Sequence, residues 1–209
     1  MKKLITEFIG TFFLVLTIGM VVVLGRGDLA PIPIGAVLMV MIFAGGHISG
    51  AHYNPAVTLA VLIRGKIGVG EAVPYMIVQV IGGVAASFVV MFLMGDKMPP
   101  EATGMASTAK GLVAELLGTF ALAYVVLNVA TAKGTSGNSF YGLAIGFTVL
   151  SMAYALAPIS GGAFNPAVAV GGCLMNLASW NDIWVFVVGC FGGGALAGIV
   201  FKMNNPEDN

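Results

Sequence analysis

Charge is what this sequence has least of: nine basic and nine acidic side chains in 209 residues, 9% of the chain, cancel to a formal net charge of zero. That balance removes any electrostatic case for nucleic acid or a strongly charged ligand as a partner. Histidine and cysteine are also few, two of each. Cys173 and Cys190 lie in apolar sequence without a His or Cys at metal-ligand spacing, so buried thiols are expected rather than a metal site or a disulfide, and no cofactor is implied. No nucleophile stands near a base, so an enzyme is not expected. No polar stretch is long enough for an appended soluble domain, and residues 1–209 read as one integral domain.

What fills the chain instead is hydrocarbon: 58% of residues are hydrophobic, and the mean hydropathy is +1.00. Such a chain belongs in a bilayer, where a spanning helix needs about 20 mostly apolar residues. Stretches of that kind occur near 4–25, 32–49, 72–94, 111–132, 139–158 and 183–203, predicting six transmembrane helices. The first follows Met1-Lys2-Lys3 but contains Glu7 and has no small-residue cleavage site, so it reads as a retained helix rather than a secretory signal.

The chain repeats itself. Glu7-Phe8-Ile9-Gly10-Thr11-Phe12 matches Glu115-Leu116-Leu117-Gly118-Thr119-Phe120 at an offset of 108 residues. Ile48-Ser49-Gly50 and Asn54-Pro55-Ala56-Val57 recur as Ile159-Ser160-Gly161 and Asn165-Pro166-Ala167-Val168 at an offset of 111. Two halves, about 1–95 and 108–205, therefore hold three spans each, and an odd number turns the second copy upside down. With the N-terminus cytoplasmic, Lys2, Lys3, Arg64, Lys66, Lys133 and Lys202 fall inside and Arg26, Lys97 and Lys110 outside, which favours that orientation.

After the second span of each half come a few small residues, then Asn-Pro and an apolar run: Asn54 to Ile63 and Asn165 to Leu174. Asn is a favoured N-cap and Pro a favoured first helical residue, so each run predicts a helix starting at the motif. Ten residues at 1.5 Å give about 15 Å, half of a roughly 30 Å hydrocarbon core. Two half-helices entering from opposite faces would meet Asn to Asn at the midplane. The segments before them, Gly50-Ala51-His52-Tyr53 and Gly161-Gly162-Ala163-Phe164, must reach that depth without helical hydrogen bonds, which a membrane tolerates where backbone lines a wet cavity. The carbonyls of Gly50, Ala51, His52, Tyr53, Gly161, Ala163 and Phe164 are thus expected to line a pore with Asn54 and Asn165 at its centre. Such a path suits water or hydroxylated solutes, and paired positive helix ends disfavour cations.

These residues, with His47 through Gly50, Thr58, and Gln79 before Gly82-Gly83, resemble the aquaporin, or major intrinsic protein, family over nearly the whole chain. The resemblance implies a right-handed bundle of six spans and two half-helices, one pore per subunit and a homotetramer. It also implies that Glu7 and Glu115 are buried supports of the loop backbone. His47 is expected as a buried hydrogen-bonding brace rather than a pH gate, and His52 as contributing only its carbonyl.

The sequence departs from the family at the narrowest part of the pore. Where most members carry Arg three residues after the second motif Asn, this chain has Val168, and the other constriction positions fall at Ile34, Ala153 and Gly162. Strict water channels usually present a large aromatic, a His and a small residue there, so a wider, more apolar filter is expected. Plant vacuolar members also carry Val, and some bacterial members linked to arsenic resistance are similar. Urea, ammonia, hydrogen peroxide, glycerol and neutral metalloid hydroxides become candidates beside water, although Ala169 replaces the Asp usual in glycerol channels. Val187 and Cys190 stand where members often have Trp and Pro. The rival class is a secondary transporter, for which only Glu7 and Glu115 could couple ions. Short termini suggest a prokaryotic inner membrane.

Overall fold

The computed structural model describes residues 1–208, and among them all regular structure is helical. Six long apolar helices cross the membrane: α1 (Lys2–Val23), α2 (Pro31–Ser49), α4 (Val69–Met94), α5 (Thr108–Thr131), α6 (Tyr141–Ser160) and α8 (Ile183–Asn204). Two short ones, α3 (Pro55–Arg64) and α7 (Pro166–Leu174), do not. Both begin on the proline, with the preceding Asn as N-cap. By the parity of the spans, α3 runs from the centre of the bundle back to the face where α2 ends, and α7 runs from the centre to the opposite face.

Pairing follows the repeat. The helix α1 packs on α4, its counterpart α5 packs on α8, and α2 meets α6. Each half-helix lies against a span of the other half, α3 on α8 and α7 on α4. Glycine sets that crossing distance. A Cβ on Gly83 would stand 2.8 Å from the Ala167 carbonyl oxygen, and one on Gly194 would run into the carbonyl of Ala56. Gly82 and Gly193 bring α4 onto Phe8 and α8 onto Leu116 in the same way. Small residues thus allow the close helix approach on which packing in lipid relies.

The repeated sextet also acquires its meaning. Gly10 faces the ring of Tyr53, and Gly118 the ring of Phe164, each the residue immediately before a motif Asn. Any side chain at either glycine would overlap that ring. Glu7 and Gly10 lie one turn apart on α1, so one face both holds the loop and makes room for it.

Candidate functional site

Each half-helix is capped by its own Asn. The Oδ1 of Asn54 accepts from the backbone N–H of Ala56 at 2.8 Å and of Val57 at 3.4 Å, and that of Asn165 accepts from Ala167 N–H at 2.9 Å. With Oδ1 committed to the helix, each amide nitrogen must point away from it. Asn54 Nδ2 donates to the Phe164 carbonyl at 2.8 Å and Asn165 Nδ2 to the Tyr53 carbonyl at 2.9 Å, which clasps the two loops across the centre of the bundle. One N–H of each amide is left without a protein partner among the described residues.

The loops are bent hard. Gly50, Ala51 and Tyr53 have φ of 88°, 52° and 50°, and their counterparts Gly161, Gly162 and Phe164 have 94°, 68° and 47°. Three of these six are not glycine, and left-handed backbone costs such a residue about 1–2 kcal/mol. Buried carboxylates offset the cost. Glu7 Oε1 accepts from Ser49 Oγ at 2.6 Å and His52 N–H at 3.0 Å, and Oε2 from Tyr53 N–H at 2.7 Å and Gln79 Nε2 at 2.8 Å. Glu115 repeats this with Ser160 Oγ at 2.6 Å, Ala163 N–H at 3.0 Å and Phe164 N–H at 2.7 Å. Both carboxylates are 0% exposed.

The two supports differ where α4 and α8 reach them. Gln79 donates to Glu7 and, at 3.0 Å, to Thr58 Oγ1, which also lies 3.1 Å from His52 Nδ1. Residues 111 positions on are Cys190, Ala169 and Ala163, and only the Cys190 thiol, 3.5 Å from Glu115 Oε2, replaces that network. The sequence alone assigns no role to the serine supports or to Gln79, although Ser49 and Ser160 sit inside a repeated triplet. Tyr75 left no signal: its hydroxyl donates to the Ser49 carbonyl at 2.9 Å, and its ring stands edge-on to that of His52.

Along the clasp runs a cavity of about 380 Å³ bordered by Asn54 and Asn165, by Ile34, Ala153, Gly162 and Val168, and by Ala51, His52, Tyr53, Gly161, Ala163 and Phe164. The carbonyls of Ala51, His52, Gly162 and Ala163 accept nothing within the described protein, whereas those of Tyr53 and Phe164 already hold the Asn amides. Gly50 stands apart: it caps α2, is exposed and does not border the cavity. Side chains of Leu38, Ile42, Leu122 and Ile145 make the facing wall apolar. Neither Glu7 nor Glu115 borders it.

The reading of His47 as a buried brace is corrected. His47 is exposed, and its ring has no hydrogen bond among the described residues. The buried stripe of α2 runs Leu38, Ile42, Gly45 and Ser49. A residue two positions from both Gly45 and Ser49 falls on the opposite face. The histidine that braces the loop is His52, through its ring as well as its backbone.

Comparison with known proteins places this arrangement. The family model described as major intrinsic protein matches residues 1–201. A putative aquaporin NIP4-1 of Arabidopsis thaliana is 36% identical over 213 residues, covering 97% of this chain and 74% of its own. A glycerol uptake facilitator protein-like 6 of Lactiplantibacillus plantarum is 34% identical over 222 residues, covering 100% of both. The X-ray structure of the aquaglyceroporin from Plasmodium falciparum superposes with a TM-score of 0.83 at 21% identity, covering 99% of this chain and 97% of that one, a likeness of fold.

Proposed function

The chain belongs to the major intrinsic protein family, and from that premise we propose a passive channel for water and small neutral solutes whose selectivity is set by an apolar filter without a cation. The observation that carries this reading is the Asn clasp beside a continuous cavity. Two fixed amides present free N–H donors, a ladder of open carbonyls presents acceptors, and the facing wall is hydrocarbon. A solute with hydroxyl or amine groups can exchange its hydration for that ladder along one side while its other side meets apolar walls. Coupled transport is disfavoured because Glu7 and Glu115 are spent on loop backbone and lie off the path.

Ile34, Ala153, Gly162 and Val168 form the filter in this reading, and none of them carries a charge or a hydrogen-bonding side chain. Urea, ammonia, glycerol, hydrogen peroxide and neutral metalloid hydroxides fall within its compass. The subunits assemble as a homotetramer in a cell membrane, the inner membrane of a prokaryote, with the N-terminus cytoplasmic. Light scattering from proteoliposomes under osmotic gradients of sucrose, urea and glycerol tests the filter. Wild-type vesicles should re-swell in urea and glycerol, whereas Val168→Arg should keep water flux and lose most solute flux. Wild-type vesicles that pass water alone would overturn the wide-filter reading.

A further inference from the structure

The last residue of α3, Arg64, is only 4% exposed, yet its Nε and Nη2 find no hydrogen-bond acceptor. A buried guanidinium with idle donors is costly, so its surroundings ask for an explanation. The C-terminal position on α3 favours a cation through the helix dipole but supplies no acceptor here. Ten residues after the other motif Asn, the corresponding position is Met175, fully buried beside Gly19 and Val90. The repeat therefore needs only an apolar side chain at this place, and the charge on Arg64 serves something that the second half lacks.

What the first half has there is the segment that follows α8. It turns back through Pro206–Asp208 and brings the Asp208 carboxylate to 3.6 Å from Arg64 Nη2. Phe201 of α8 lies beneath the guanidinium, 4.7 Å from its carbon to the ring centre. Asp208 also accepts from the backbone N–H of Lys133 at 2.8 Å, and the Lys133 ammonium donates to the Glu207 carbonyl. Lys133 opens the connection between α5 and α6, whose Leu122 and Ile145 border the cavity.

We infer that Arg64 is the anchor of an electrostatic strap: residues 206–208 dock their carboxylate between Arg64 and Lys133, fastening the α5–α6 connection to the inner end of α3. The strap is a releasable device, because a single ion pair, closed over by the segment itself, and two exposed hydrogen bonds to Lys133 hold it. It stands independently of which solute the channel passes.

Trypsin cleavage after Lys133 in the purified full-length protein reads the strap directly, with cleavage after the exposed Lys97 on the other face as internal reference. Asp208→Asn should speed cleavage at Lys133 by about tenfold relative to Lys97, the scale expected for losing one charged hydrogen bond from a local opening. A chain ending at Asn204 should be cut at least as fast. Arg64→Met, which copies Met175, should behave like Asp208→Asn. Equal Lys133 to Lys97 ratios in wild type, Asp208→Asn and the shortened chain would overturn the strap, and a wild-type ratio in Arg64→Met would overturn Arg64 as its anchor.

Discussion

At the scale of single residues, the site is governed by which hydrogen-bonding atoms are already committed. Asn54 and Asn165 owe their orientation to helix capping: Oδ1 faces the half-helix, so Nδ2 faces the opposite loop and the cavity. Asn165→Asp would keep the cap but replace the donor to the Tyr53 carbonyl with an acceptor. It should lower water permeability in proteoliposomes several-fold while leaving the protein folded. Glu7 illustrates the opposite dependence, an acceptor that must remain one. Four donors converge on it, two of them backbone N–H groups of a loop in left-handed conformation. In Glu7→Gln an amide nitrogen must face at least one of those donors, at a cost of about 1–3 kcal/mol. Thermal unfolding in detergent should move down accordingly, and an unchanged midpoint would contradict the supporting role.

At the scale of elements, the half-helices are held less by their own sequence than by what they cross. Helices of nine or ten residues are marginal alone, and α3 and α7 persist because α8 and α4 let them approach to backbone contact. The glycines of α8 are not equivalent in this respect. A methyl group at Gly194 would meet the Ala56 backbone, whereas at Gly192 its nearest neighbour is the Leu116 side chain at an ordinary 3.7 Å. Gly194→Ala should therefore destabilise the protein by about 1–3 kcal/mol through overpacking. Gly192→Ala should be neutral or stabilising by up to about 1 kcal/mol, since alanine is the better helix former. Comparing the two melting temperatures separates a packing role from a mere preference for small residues.

At the scale of the whole molecule, the inverted arrangement aims two helix N-termini at one point, and in the function proposed above they do the work of a filter cation. Half a charge about 5 Å from a passing cation repels it by roughly 1.7 kcal/mol at an effective dielectric near 20, and a full Arg charge by roughly 3.3. Two helix ends together match one Arg, and ion desolvation adds several kcal/mol more. Cation exclusion should survive in weakened form, and proton currents through proteoliposomes as large as those of a known proton channel would refute that. Much of this was legible in the sequence. Composition and run length fixed six spans, and the offsets of 108 and 111 residues required an inverted pair of halves. Asn-Pro-Ala at two matched places implied half-helices, because capping and helix length are local properties of the chain. What only the tertiary structure decided are relations between distant segments: that Gly10 and Gly118 make room for Tyr53 and Phe164, that each Asn amide holds the other loop's carbonyl, that His52 rather than His47 braces the loop, and that Asp208 returns to Arg64. A side chain's exposure and the partner of its polar atoms depend on which face a neighbouring element covers, and that is settled by packing rather than by any residue's own identity.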